Sequence, residues 1–224
     1  MKKKNPSTSR RDFIKKSLMA SSIVIVPRHV LGGTGYTAPS DQLNIASIGC
    51  GGKGRPDIIN ASVKGRERVV ALCDIDSFGK HGVTAARKKF PKANFYNDFR
   101  QLLAEEKDLD AITVSTPDHT HANIAMAAMD RNVHLYVQKP LTHNIKEARL
   151  LTETAREKKI VTQMGNQGAS NPAQLQVQKW INDGEIGNVH TVKVWTNRPV
   201  WPQGIPMPDP DPENLPEGLA WDLW

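Results

Sequence analysis

Two cysteines in 224 residues, Cys50 and Cys73, are too few to build a disulfide framework or a zinc site. Each reads as a small apolar packing residue at a strand end, with one alternative open: if their strands are neighbours, an oxidising compartment could link them. A membrane-spanning run is missing too. The apolar stretch Ser17 to Pro27 has eleven residues, which at about 1.5 Å each fall well short of a hydrocarbon core of about 30 Å. Positive charge is absent as a general property of the chain. The net charge is +7, yet residues 1–40 hold eight Lys or Arg against one acid, Asp12, leaving 22 basic and 22 acidic residues beyond them. A neutral body excludes a nucleic-acid partner, which needs a net basic surface. No internal repeat and no metal-ligating cluster is found.

The basic excess belongs to a leader. Lys2 to Lys4 and the paired Arg10 and Arg11 of "SRRDFIK" precede the short apolar region, the pattern of a twin-arginine export signal. Such signals serve proteins that fold before crossing a membrane, so the expected partner is the twin-arginine translocase and the expected location periplasmic. No clean small-x-small cleavage site follows. Cleavage therefore stays open, the leader could persist as a tether, and a disordered basic tail is the alternative.

Residues 33–42, rich in Gly, Ser, Thr and Pro, read as a linker. From there short apolar runs alternate with stretches of helical spacing. The strands expected are "LNIASIG", "RVVALCDID", "NFY", "DAITVST", "NVHLYVQ" and "IVTQMG", and helices lie between them. This alternation predicts an α/β fold, a doubly wound parallel sheet covered by helices on both faces, over residues 41–170. From 171 the texture changes to the helix "PAQLQVQKWIND", an alternating "NVHTVKVWTN" of antiparallel-strand type, and a Pro-rich stretch ending at "WDLW". Residues 171–224 are expected to be the incomplete start of a second domain, because a lone strand cannot bury its apolar face.

"GCGGKG" sets Gly49, Gly51 and Gly54 in G-x-G-x-x-G register, with Gly52 between them, after a strand and at the opening of a helix. Asp74 ends the next strand 20 residues past Gly54, the context a dinucleotide site requires. The glycines permit a tight turn and close backbone approach to a diphosphate. The helix N-terminus favours its negative charge, and Asp74 accepts from the ribose hydroxyls. A carboxylate there repels a 2′-phosphate, so NAD is expected rather than NADP. A flavin or a nucleotide sugar in the same cradle, or a glycine turn without ligand, are the alternatives.

Ligands of open α/β sheets sit at the carboxyl ends of strands. Three further ends carry polar clusters: Thr116, Pro117, Asp118, His119 and His121 in "TPDHTHA"; Gln138, Lys139 and Pro140 in "VQKPL"; Asn166 and Gln167 in "QMGNQG". With "IGCGGKG", these motifs in this order resemble the glucose–fructose oxidoreductase / inositol dehydrogenase family (Gfo/Idh/MocA) over residues 43 to about 200. The resemblance implies a Rossmann domain that binds NAD(P), followed by an α/β substrate domain. It marks Lys139 as catalytic. The family reads E-K-P where this chain reads Q-K-P, so a ribose contact by Gln138 would use a neutral amide.

The expected chemistry is hydride transfer between NAD and a carbinol carbon of a sugar or sugar-like polyol. Lys139 orients the hydroxyl, and His121, ahead of His119, is the second catalytic candidate. Cofactor contacts are expected from Gly49, Gly51, Gly52, Gly54, Asp74, Thr116, Pro117, His119, Gln138 and Asn166. Arg198, Trp195 and Trp201 offer stacking and hydrogen bonds to a carbohydrate, or a homo-oligomer interface in the complete protein. Two rivals remain: an NAD-dependent glycosidase on the same fold, and a non-catalytic sugar-binding protein.

Overall fold

The computed structural model describes residues 37–78, 82–196, 204, 206 and 215–224. The twin-arginine segment, and Arg198 and Trp201 in the Pro-rich stretch, lie outside the described residues. Residues Pro39–Asp41, in the expected linker, form one turn of 3₁₀ helix.

Six strands follow in chain order: β1 (Asn44–Ile48), β2 (Arg68–Cys73), β3 (Asn94–Tyr96), β4 (Ala111–Val114), β5 (His134–Gln138) and β6 (Thr162–Gly165). All pair in parallel, in the spatial order β3-β2-β1-β4-β5-β6. The order reverses direction at β1, so the loops after β1 and β4 part there and leave a crevice at the carboxyl edge. The connecting helices are α1 (Gly54–Ala61), α2 (Val83–Lys89), α3 (Phe99–Glu105), α4 (His121–Met129) and α5 (Ile145–Glu157), and α6 (Pro172–Asn182) comes after β6.

Local chemistry fixes several helix starts. The Asp98 and Asn144 side chains accept from the N–H groups of Arg100 and Glu147, capping α3 and α5. Asn171 caps α6 with Pro172 at its first position. α1 differs: no side chain caps it, and its first residue is a glycine.

The two faces of the sheet bury separate clusters. Ala46, Ile48, Ile112, Val114, Leu135 and Val137 pack with Leu102, Ile124, Ala125, Ala128 and Leu151 from α3, α4 and α5. Ile45 and Leu72 meet Ile58 of α1 and Val83 and Ala86 of α2 on the other side. Ile58 has no exposed surface, and cutting such a side chain to alanine costs about 2–5 kcal/mol. Between these strands Thr113 donates its hydroxyl to Ser47 Oγ at 2.9 Å, satisfying a buried polar pair on β1 and β4.

Among the described residues no strand forms over 188–196, and every residue there is exposed. Among the described residues the alternating pattern of "NVHTVKVWT" joins no strand ladder, so its period of two is not used to build a sheet. β6 is likewise exposed apart from Gly165.

Ile48 and Cys73 are register partners on adjacent strands, so the condition for a Cys50–Cys73 link is met, yet both thiols are free and buried. Burial pushes the Cys50 thiol up to about 12, and it raises Cys73 as well, with Cys50 and Asp74 nearby adding to the effect. The reactive thiolate is therefore suppressed at neutral pH. Ellman's reagent should react with neither thiol in the folded chain and with both after unfolding in guanidinium; reaction before unfolding would contradict the burial described.

Candidate functional site: the dinucleotide cleft

The first turn past β1 is held by its neighbours. Gly49 and Cys50 both donate their N–H to the carbonyl of Cys73, at 2.8 and 3.2 Å, and Ser115 donates to Ile48 O at 2.9 Å. Gly49 has φ +77° and Gly54 begins α1 directly above it. A Cβ on Gly54 would fall 1.6 Å from Gly49 O, and one on Gly49 would fall 2.7 Å from the Ser115 backbone. Only hydrogen fits at either place. The uncapped end of α1 is thereby brought against the end of β1, where its N–H groups and dipole favour an anion.

Asp74, just past β2, faces this loop. Its Oδ2 accepts from Gly51 N–H at 2.9 Å and its Oδ1 from Asp76 N–H at 3.1 Å. Burial raises the Asp74 carboxyl above its ordinary value, and Asp76 adds to that; the two N–H bonds oppose it. Asn97, after β3, buttresses the turn by donating to Asp74 O at 2.8 Å and to Ser77 Oγ at 2.9 Å.

A cleft of about 490 Å³ opens over these groups, lined by Gly49, Gly51, Gly52, Asp74, Thr116, Pro117 and His119. Seven of the expected cofactor residues thus share one concave surface. Gly54 is buried behind it. Lys139 and Asn166 are exposed at the ends of β5 and β6, outside the cleft lining.

Two expectations need correction. His121 has no exposed surface, so it cannot touch a substrate. Its ring lies between two carbonyl oxygens, with Nδ1 2.7 Å from Pro140 O and Nε2 2.9 Å from Thr116 O, and it ties the loop after β4 to the turn after Lys139. Both partners only accept, so a neutral ring donates to one at a time and an imidazolium to both. Gln138 is also buried, at 5 % exposure. Its Nε2 donates to Asp57 Oδ2 at 2.7 Å, so its amide is turned under the loop and not toward a ribose.

Other site residues escaped the sequence. Lys53 lines the cleft and pairs with Asp57 at 2.5 Å. Leu219, Leu223 and Trp224 form one wall, although they follow the Pro-rich stretch. Ser77 N–H donates to Gly218 O (3.0 Å) and Ala220 N–H to Ile75 O (2.8 Å), seating this segment beside the loop after β2. The Trp224 ring stands edge-on to His119, with centroids 6.1 Å apart. The apolar letters of "WDLW" were the available signal, with nothing in them to say where they dock.

A glycine cradle at an uncapped helix end, with a carboxylate on the next strand placed for a ribose, defines a dinucleotide-binding domain. The chain belongs to the oxidoreductase family with the NAD-binding Rossmann fold, which it matches over residues 43–166, and its cofactor is NAD. Among curated proteins it is similar to an inositol 2-dehydrogenase of Salmonella typhimurium, 28% identical over 65% of this chain and 43% of that one. A levoglucosan dehydrogenase of Pseudarthrobacter phenanthrenivorans is 29% identical over 46% of this chain and 26% of its own length. A glycosyl hydrolase family 109 protein of Solibacter usitatus is 31% identical over 66% and 36%. The fold is that of myo-inositol 2-dehydrogenase from Lactobacillus plantarum, with a TM-score of 0.58 at 21% identity, covering 66% of this chain and 43% of that one. The chain thus spans less than half the length of these proteins.

An ionised Asp74 would accept from ribose hydroxyls through its two oxygens, and protonation would remove part of that capacity. Because its folded value is raised, protonation begins at a higher pH than for an exposed aspartate. NADH affinity should therefore weaken from pH 7 to pH 5. Asp74→Asn should raise the Kd at pH 7 by about tenfold, as for loss of a charged hydrogen bond, and flatten the pH profile; a fluorescence titration with unchanged Kd and slope would contradict this role.

Proposed function

We propose that the complete protein is an NAD-dependent oxidoreductase acting on a sugar or sugar-like polyol, with hydride moving to or from a carbinol carbon. The observation that carries this reading is the exposed Lys139 at the end of β5, two strands from a glycine cradle in which Gly49 and Gly54 leave no room for a Cβ. Bound NAD supplies the hydride acceptor or donor. Lys139 supplies a charge-assisted hydrogen bond that orients the reacting hydroxyl and stabilises negative charge on its oxygen. The inositol and levoglucosan dehydrogenases among the relatives support a polyol or sugar substrate.

NAD is favoured over NADP by two carboxylates at the ribose end, Asp74 and Asp76. The guanidinium on the same wall, Arg100, is bound by Asp98 through contacts of 2.7 to 3.0 Å, which opposes its use for a 2′-phosphate. Residues 171–224 are the start of a substrate domain in this reading, and the protein is the N-terminal part of a longer one. The leader directs it through the twin-arginine route to the periplasm. Folding around NAD before export accounts for that route, and a tightly held cofactor would be recycled in place.

A second reading, transient oxidation within a glycosidase cycle, draws on the glycosyl hydrolase family 109 relative. One assay separates the two. The complete protein should reduce its NAD on inositols or aldoses, followed at 340 nm as the rate of NADH formation on the bound cofactor, and Lys139→Ala should lower that rate about 100-fold or more with the nucleotide still bound. Retained turnover would remove Lys139 from the mechanism. Nitrophenol released from aryl glycosides without net NADH would favour the glycosidase.

A further inference from the structure

One buried charge lies directly beneath the glycine loop. Asp57, in the first turn of α1, is 6 % exposed. Its Oδ1 receives the Lys53 ammonium at 2.5 Å, and its Oδ2 accepts from Ser115 Oγ at 2.9 Å and from Gln138 Nε2 at 2.7 Å. Lys53 belongs to the loop, Ser115 follows β4, and Gln138 ends β5 and is bonded covalently to Lys139. A single carboxylate thus joins the loop, β4 and β5.

Position 138 is where this chain departs from E-K-P. A glutamine can donate to Asp57, whereas an ionised glutamate cannot, and would set a second negative charge at hydrogen-bond distance in a site closed to water. There is little room for an alternative pose: a Cβ at Gly165, the register partner of Gln138 on β6, would lie 2.8 Å from the Gln138 Cδ and Nε2.

We propose that Asp57 and Gln138 form a matched pair that positions Lys139. The chain carries its buried negative charge on α1 at Asp57, Gln138 is the donor this carboxylate demands, and their bond fixes the start of the lysine turn against the glycine loop. The role assigned to Lys139 rests on the function proposed above; the pairing itself does not.

In Gln138→Glu one of the two facing carboxyls must take up a proton, so its folded pKa rises above the unfolded value. The folded form then binds more protons than the unfolded, and stability falls as pH rises through that window. In the complete protein Gln138→Glu should lower the Tm by about 5–10 °C at pH 8 and by less at pH 5. Adding Asp57→Asn should recover most of that loss and remove its pH dependence, because one charge and one amide then face each other with roles exchanged. Should Gln138→Glu alone fail to accumulate, recovery of soluble protein by adding Asp57→Asn reads the same coupling.

Positioning is read separately. Gln138→Glu should lower kcat at least tenfold with the KM for NAD changed less than twofold, and the double variant should regain kcat. A Gln138→Glu protein as stable as its parent at both pH values, or additive losses in the double variant, would overturn the pairing. Unchanged kcat beside the expected unfolding pattern would overturn the positioning role. Unfolding needs no cofactor, so failure of the NAD reading would leave that comparison intact and the two fail separately.

Discussion

Between the carbonyl oxygen of Gly49 and the Cα of Gly54 there is no space for a methyl group. That contact sets how closely α1 can approach the end of β1, and the dinucleotide cleft follows from it. The approach points the uncapped N-terminus of α1 into the crevice between the loops after β1 and β4. It also brings Gly51 within 2.9 Å of the Asp74 carboxylate on the next strand. The helix end that favours an anion and the carboxylate beside it are therefore two consequences of one packing constraint, and the sheet order that reverses at β1 supplies the crevice.

Around this constraint the buried polar groups are arranged so that acceptors meet donors. Asp74 faces N–H groups, Asp57 faces an ammonium, a hydroxyl and an amide, and the His121 ring lies between two carbonyls, to one of which its neutral form donates. Unsatisfied groups of this kind would each cost about 1–3 kcal/mol. Their pairing ties the loops after β1, β4 and β5 to one another at the carboxyl edge. Two of these groups, His121 and Gln138, flank Lys139 from its carboxyl and amino sides. The lysine itself stays exposed, and its backbone is held by residues that are not.

The sheet was legible in the sequence because period and punctuation agree: each apolar run of β1 to β6 ends near a glycine, proline or acid, and helical spacing fills the gaps. The glycine loop and Asp74 were legible for the same reason, since their spacing encodes a local strand–turn–helix geometry. His121 and Gln138 were not. Each sits at a strand end or helix start, where a polar residue reads as functional, yet their direction is set by tertiary neighbours. For His121 a clue existed: Ala125 and Ala128 follow at four and seven residues, and all three are buried on one face of α4. For Gln138 none did, because its partner Asp57 is 81 residues away and reads as an ordinary acid in a helix's first turn. The wall built by Leu219, Leu223 and Trp224 was illegible for a like reason, as its docking depends on a backbone contact with Ile75 and Ser77.

A crystal structure of the complete protein grown with saturating NADH tests the central claim most directly. The account predicts diphosphate density over the N-terminus of α1, an adenosine ribose on Asp74, and the Lys139 ammonium beside the nicotinamide. An empty cradle at saturation, or a nucleotide bound elsewhere on the sheet, would contradict it.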